Sequence, residues 1–357
     1  MLDNATLASL EIDSSDPDFI YTETESIMAG TIIALQCIFG TILNFLVIVA
    51  LLRNSELRME YLTPTIISIA VANFIHSIYT LPILSVYFFV KDMPVTNCQF
   101  FSFIGLSIWL CSAWNLFGFS SLRCLAMYFP NHCDVKKCEK FRGISIVFPV
   151  LAWIISFLFF SPVLLKEAGQ FGLECKVLTC RYININIDGG PVETNLHIGL
   201  KALVITIGVV ILILNIATFS KVSMKIQKVT KEEKGVDQKV ARRILEKEKK
   251  MGVMLASLSI LFFLVYTPSF FLQLVDPYAR LTHTTASIMC NLMNWSIGVL
   301  DPLVYVICQK SYRTEIKMIV QSMFCCDKND NEMDSSVQMH RIVQKSNNLI
   351  TLETVHV

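Results

Sequence analysis

Seven stretches of 19 to 30 residues without Asp, Glu, Lys or Arg, the last broken once by Asp301, alternate with charged connections along this chain of 357 residues. They run Ser26 to Leu52, Tyr61 to Val90, Met93 to Leu122, Gly143 to Leu165, Ala202 to Ser220, Met251 to Val275 and Leu281 to Gln309. Each is long enough to cross ~30 Å of hydrocarbon as a helix of about 20 residues. Hydrocarbon offers backbone groups no water, so they must bond within the segment, and a helix is the default. A soluble core accommodates one such helix but not seven. The chain is expected to be an all-α membrane protein, a bundle of seven transmembrane helices. Charged residues are 17% of the total, against about 25% in an average soluble domain, so most of the chain is membrane.

The net charge of +1 conceals an asymmetry that selects a topology. With the N-terminus outside, Lys91, Lys166, Lys176, Arg181, Lys201 and Arg280 face outward, 6 of the 30 Lys and Arg, and the remaining 24 face the cytoplasm. That is the bias expected of cytoplasmic loops. The expected organisation is an extracellular tail over 1–25, the membrane domain over 26–310, a short amphipathic helix over 311–323 and a disordered cytoplasmic tail over 324–357. The first 25 residues carry seven acidic residues and no basic one, unlike a cleavable signal peptide, and the first span is expected to act as the signal-anchor. Residues 221–250 hold 11 Lys and Arg and five acidic residues in a helix-forming sequence. Spans five and six are expected to extend as helices into the cytosol, near anionic lipid or as a docking surface.

Asn4-Ala5-Thr6 is a glycosylation sequon on the external side. Asn294-Trp295-Ser296 matches the same pattern but lies inside span seven. Of the 12 cysteines, only external ones oxidise readily. A bridge from Cys98 to Cys175 or Cys180 is open to the chain by topology, and spacing does not choose between them. Cys325 and Cys326 follow the amphipathic stretch and are candidate palmitoylation sites. The last residues, Thr354-Val355-His356-Val357, end as some PDZ-domain ligands do. No paired halves, pore-like charge series, His-Glu-x-x-His or carboxylate cluster points to a transporter, channel or membrane enzyme. No cofactor and no nucleic-acid partner is expected.

Within the spans, single residues recur at telling offsets. They are Asn44; Ala70-Val71-Ala72-Asn73; Cys98 with Arg123 25 residues later; Trp153; Pro268 in Phe262-Phe263-Leu264-Val265-Tyr266-Thr267-Pro268; and Asp301-Pro302-Leu303-Val304-Tyr305. In this order the chain resembles the rhodopsin-like (class A) G protein-coupled receptors over roughly residues 26–323, with 309–323 resembling their short eighth helix. Gly169-Gln170-Phe171-Gly172-Leu173 before Thr179-Cys180, and the stretch from Lys247 to Pro268, are similar to the trapped-in-endoderm and Moody group of invertebrate receptors, near the melatonin-receptor-like branch. The resemblance implies a Cys98–Cys180 disulfide. It also implies an activation switch of Arg123, Glu248, Asn73, Asp301, Pro302, Tyr305 and Pro268, and coupling to a heterotrimeric G protein at the plasma membrane. Glu248 lies 20 residues before Pro268, where the family places an acidic partner for the arginine.

Departures accompany the matches. Leu122 and Cys124 flank Arg123 where Asp or Glu and Tyr are usual, which removes one restraint on the resting state. Ile207 replaces the proline of helix five, Asn215 a tyrosine, and Tyr266 the usual tryptophan. These departures make a non-coupling seven-helix decoy or scavenger receptor the alternative function. Asn73 and Asp301 look like a reciprocal exchange of the family's Asp and Asn, keeping one carboxylate between helices two and seven. A lone buried charge there must be neutralised, hydrated or paired. Sodium held by Asp301 and Ser112 is one solution and a structural pairing the favoured one.

For the ligand, helical spacing turns His76, Tyr79, Gly105, Trp109, Tyr266, Phe270, Gln273, Asn291 and Trp295 toward the external half of the interior. Gly105 stands 18 residues before Arg123, where the family's amine receptors carry an Asp. The expected ligand is lipid-like or otherwise apolar rather than a monoamine, with Lys201 and Arg181 placed to attract an anionic head group. Aromatic residues at such spacings otherwise serve packing.

Overall fold

Thr22 and Glu25 start the first helix before the apolar run begins. The Thr22 hydroxyl accepts from the Glu25 N–H at 3.2 Å while the Glu25 carboxylate accepts from the Thr22 N–H at 3.0 Å, a reciprocal cap. The computed structural model describes residues 22–90, 95–128, 135–164, 170–174, 179–185, 191–192, 195–231, 236–275 and 284–324. Helix one runs Glu23–Arg53. Asn54 ends it and its Oδ1 accepts from the Leu57 N–H at 3.2 Å, opening the short helix Ser55–Met59. Pro64, in the first turn of the next helix, costs no backbone bond there.

The second span is Thr63–Ile75, a π-helical turn His76–Thr80, and Leu81–Val90. The third and fourth are Val95–Tyr128 and Val135–Leu164. The fifth, Asn195–Lys231, and the sixth, Val236–Val275, both run past their apolar stretches into the basic segment, as the charge spacing suggested. The sixth continues through Pro268. Span seven is a pair of helices, Thr284–Trp295 and Ile297–Cys308, bent by 45° about Ser296, where the apolar run broken only by Asp301 suggested one helix. Its Oγ donates to the Met293 carbonyl at 2.6 Å, competing with the helical ladder at the bend. Lys310–Phe324 is a further helix with Tyr312, Ile316 and Ile319 at helical spacing.

Between spans four and five lies a feature that hydropathy alone did not suggest. Strand β1 (Gln170–Glu174) pairs antiparallel with β2 (Thr179–Ile185), with Leu173 opposite Cys180, and β2 pairs with β3 (Pro191–Val192). β1 and β2 pack against the third-span helix, which carries Cys98 near its start. The side chains of Cys98 and Cys180 lie outside the described residues, as do Asn4, Cys325 and Cys326.

In lipid there is no hydrophobic drive between helices, so small residues and polar bonds set how they pack. Helix one turns Ile27, Met28, Ile32, Leu35, Phe39, Ile42 and Phe45 outward as lipid-facing surface, while Ala29, Gly30, Ile33, Gly40 and Asn44 turn inward. A Cβ on Gly30 would lie 3.0 Å from the Phe89 ring, and one on Gly40 would collide with the Ser77 hydroxyl. Helix four is anchored on helix two by Trp153, whose Nε1 donates to Ser68 Oγ at 3.0 Å.

Candidate functional site

Three spans converge midway through the bundle. Asn44, fully buried, donates through Nδ2 to the Gly40 carbonyl at 2.8 Å and to the Gly298 carbonyl of span seven at 2.6 Å. Asn73 donates through Nδ2 to Asp301 Oδ2 at 2.9 Å. The Ser77 hydroxyl donates to the Asn73 carbonyl at 2.8 Å. The carbonyl that Asn44 reaches belongs to a glycine: a Cβ on Gly298 would meet Ser77 Oγ at 3.4 Å and His76 at 3.8 Å. The π turn of span two and the bend of span seven therefore sit beside each other, where two backbones approach closely. The exchanged pair Asn73 and Asp301 is in direct contact.

That contact bears on sodium. Asn73 presents an amide N–H to one carboxylate oxygen of Asp301, so that oxygen is engaged by a donor. No group of three His, Cys, Asp or Glu among the described residues suits a metal ion. The amide of Asn73 on Asp301 is the structural pairing of spans two and seven expected from the exchange of the two residues.

The expected ligand residues divide. Trp109 meets Tyr266 edge-on with ring centroids 5.7 Å apart, and Tyr266 lies 4.6 Å from Phe262 by the same measure. Spans three and six thus share an aromatic floor. Gly105 faces Thr80, whose methyl would be 3.7 Å from a Cβ at that position. Trp295 instead packs edge-on against Phe88 at 6.2 Å, beside a buried cluster of Ala29, Ile33, Leu84, Phe101, Ile288 and Leu292. Asn291 is buried and His76 half-buried, and the buried Nδ1 of His76 has no hydrogen-bond partner. Tyr79 is half-buried, and the side chains of Phe270 and Gln273 lie outside the described residues.

At the other end of the bundle Arg123 is 0% exposed. A Cβ on Gly252 of span six would lie 3.2 Å from its Nη2. A cleft beside it is lined by Arg123, Asn215, Thr218, Val222, Lys249 and Gly252. Asn215 Nδ2 donates to Ser259 Oγ at 2.6 Å. Lys225 Nζ donates to the Met127 carbonyl at 3.3 Å, and Lys221 Nζ lies 5.2 Å from the Tyr128 ring centroid. Tyr305 is fully buried with its ring stacked on Tyr312 at 6.1 Å. Leu122 and Ile207 are buried, Cys124 is partly so, Pro302 is buried and Pro268 partly so. The Glu248 side chain lies outside the described residues, so its pairing with Arg123 has no geometry here.

Seven helices with this order of buried polar residues have a counterpart among known proteins. The profile of the 7 transmembrane receptor (rhodopsin family) matches residues 43–305. This chain belongs to that family. The receptor is similar to Protein trapped in endoderm-1 of Drosophila melanogaster, 21% identical over 309 residues that cover 82% of this chain and 77% of that protein. Among solved structures, that of squid rhodopsin matches with a TM-score of 0.71 at 16% identity, covering 88% of this chain and 91% of that one. The chain is thus a multi-pass membrane receptor of rhodopsin type, not an enzyme.

Several residues of this receptor's interior were not singled out by motif: Gly40, Ser77 and Gly298 at the mid-bundle convergence, and Gly252 and Ser259 at the Arg123 end. Serines and glycines inside apolar runs are the signal available for them, because small residues are where membrane helices approach most closely.

Proposed function

We propose that this receptor transmits binding of an extracellular ligand, lipid-like rather than a monoamine, to a heterotrimeric G protein by outward movement of the sixth span. The observation that carries the reading is the fully buried Arg123 with Gly252 of span six against its guanidinium. A buried arginine within a membrane span is costly and rare, which supports a functional role for Arg123. A glycine at Gly252 lets span six close over the cation. Moving that span outward uncovers the guanidinium and widens the neighbouring cleft into a groove for a partner helix. Either partner, ligand outside or protein inside, then favours the arrangement the other prefers.

The ligand reading is supported by the aromatic floor of Trp109 and Tyr266 and by the absence of a carboxylate at Gly105. The proposal includes the plasma membrane with the N-terminus outside, contact with anionic membrane lipids, and a Cys98–Cys180 bridge, for which the packing of the hairpin on helix three is support. It also includes glycosylation at Asn4, palmitoylation at Cys325 and Cys326, and a PDZ-domain partner at the C-terminus.

Guanine-nucleotide exchange in cells expressing the receptor tests the reading. Arg123→Ala at matched surface expression is expected to lower basal or ligand-driven exchange at least tenfold, roughly the loss of one charge-assisted contact to the partner. Exchange equal to that of untransfected cells for both proteins would favour the decoy reading suggested by Leu122, Cys124, Ile207 and Asn215.

A further inference from the structure

We infer that Asn215 and Ser259 are positioning residues for the sixth span, a buried amide-to-hydroxyl clamp that holds spans five and six together in the resting arrangement. The inference rests on the reading of span six as the moving part, and it gives Asn215 a role at a position where the receptor departs from its family. Asn215 Nδ2 donates to Ser259 Oγ at 2.6 Å, and Ser259 Oγ donates onward to the Leu255 carbonyl at 2.9 Å. Asn215 is 8% exposed and Ser259 1%. The hydroxyl is thereby aimed by its own helix and the amide by the hydroxyl.

The place of the pair along the two helices gives it leverage. Above it, the contact between the spans is apolar and close: a Cβ on Gly208 would come within 2.9 Å of the Phe263 ring. Below it, the spans border the cleft lined by Arg123, Thr218, Lys249 and Gly252. Asn215 and Ser259 mark the boundary between the sealed part and the open part. Span six cannot swing away below that boundary without breaking the bond or dragging span five along. The pair is buried in the resting arrangement, so the bond forms there without competition from water, and parting the spans gives it up. Asn215 Oδ1 already lies buried without a hydrogen-bond partner, so the Nδ2 contact is the bond that fixes how this amide is turned. Removing the Ser259 hydroxyl frees the lower part of span six without altering the lining of the Arg123 cleft, to which Asn215 belongs.

Hydrogen bonds between membrane helices correspond on average to roughly a threefold shift in an equilibrium and at most about a twentyfold one. The test uses the full-length receptor in lipid nanodiscs, with spin labels on a keto amino acid introduced at Leu125 of span three and at Lys250 of span six, both exposed. Ser259→Ala and Asn215→Leu are each expected to raise the ratio of wide to narrow distances about threefold or more. The double variant is expected to match the singles rather than multiply them, and Ser259→Thr, which keeps the hydroxyl, to match the parent. Parental distance distributions in Ser259→Ala, or a double variant equal to the product of the two singles, would overturn the clamp. Should Asn215→Leu fail to fold, the contrast between Ala and Thr at Ser259 decides alone. Nucleotide exchange measured on the same samples separates the two readings. Wider distances with unchanged exchange support the clamp and count against coupling.

Discussion

The seam of spans one, two and seven and the joint of spans three, five and six use the same chemistry to different ends. Along the seam, beside the side-chain pair of Asn73 and Asp301, four side-chain donors of one span go to backbone carbonyls of a neighbouring one. Ser26 donates to the Phe88 carbonyl, Ser85 to Gly30 at 2.9 Å, Gln36 to Leu292 at 3.1 Å and Asn44 to Gly298 at 2.6 Å. A carbonyl is fixed to its helix, so these bonds specify one register and do not re-form after a shift. At the joint, the bond between spans five and six is between two side chains, Asn215 with Ser259, and at the cytoplasmic end the long, flexible Lys225 reaches the Met127 carbonyl of span three. Side chains turn and find new partners. On the function proposed above, the seam is the frame and the joint the part that moves against it.

The seam is expected to be most sensitive at Gly40. A Cβ there would overlap the Ser77 hydroxyl, with the Gly298 carbonyl 3.6 Å away, so Gly40→Val forces two backbones apart. Overpacking of this kind costs about 1–3 kcal/mol. The expected outcome is a melting midpoint lower by roughly 6–12 °C in detergent, at the upper end of that cost. A midpoint within a degree of the parent would mean that the seam yields as the joint does.

Asp301 is the next test, because it separates shape from hydrogen bonding. Asp301→Leu leaves the Asn73 amide buried without its 2.9 Å acceptor, at a cost of about 1–2 kcal/mol and roughly 2–6 °C in midpoint. Asp301→Asn retains an acceptor oxygen and is expected to recover most of that loss. Equal destabilisation by both would show that the charge, not the bond, holds spans two and seven together. By contrast, Ser259→Ala at the joint should move the distance distribution while leaving the midpoint nearly in place.

The frame was legible because its signals are categorical. A run without formal charge is a span whatever it packs against, and Asn44, Asn73 with Asp301, and Trp153 announce themselves as isolated polar or aromatic residues in such runs. The hairpin of β1 and β2 was less visible, since its strands are five and seven residues long inside a polar loop. Its alternation through Phe171 and Leu173 was the cue present. Helix one begins at Glu23, three residues before the apolar run from Ser26, because Thr22 and Glu25 cap it, a signal that hydropathy does not carry. The π turn at His76–Thr80 and the bend at Ser296 carry no proline or glycine of their own. They coincide with the contact among Gly40, Ser77 and Gly298, which three distant segments make together and which no one of them encodes. The same limit applies to Trp295, read by spacing as a ligand residue, whose ring also packs edge-on against Phe88. Helical spacing says that a side chain turns inward but not whether a neighbour has already filled the space.

The smallest effect is expected where the seam leaves the membrane. At its outer end the Glu25 carboxylate accepts from the Thr22 cap and from the Thr285 hydroxyl of span seven, so the same two spans are joined by one more bond of similar kind. Here both partners are exposed, and water competes for each of them. Exposed contacts of this sort contribute little, so Thr285→Val should lower the midpoint by about 1 °C or less. The cap on Glu25 stays intact in that variant, which isolates the link between spans. If Thr285→Val instead cost as much as Asp301→Leu, the strength of the seam would lie in its pattern of partners. If the cost is as small as expected, it lies in the exclusion of water from Asn44, Asn73 and Ser77, and a bond of the same geometry counts for more the deeper it is placed.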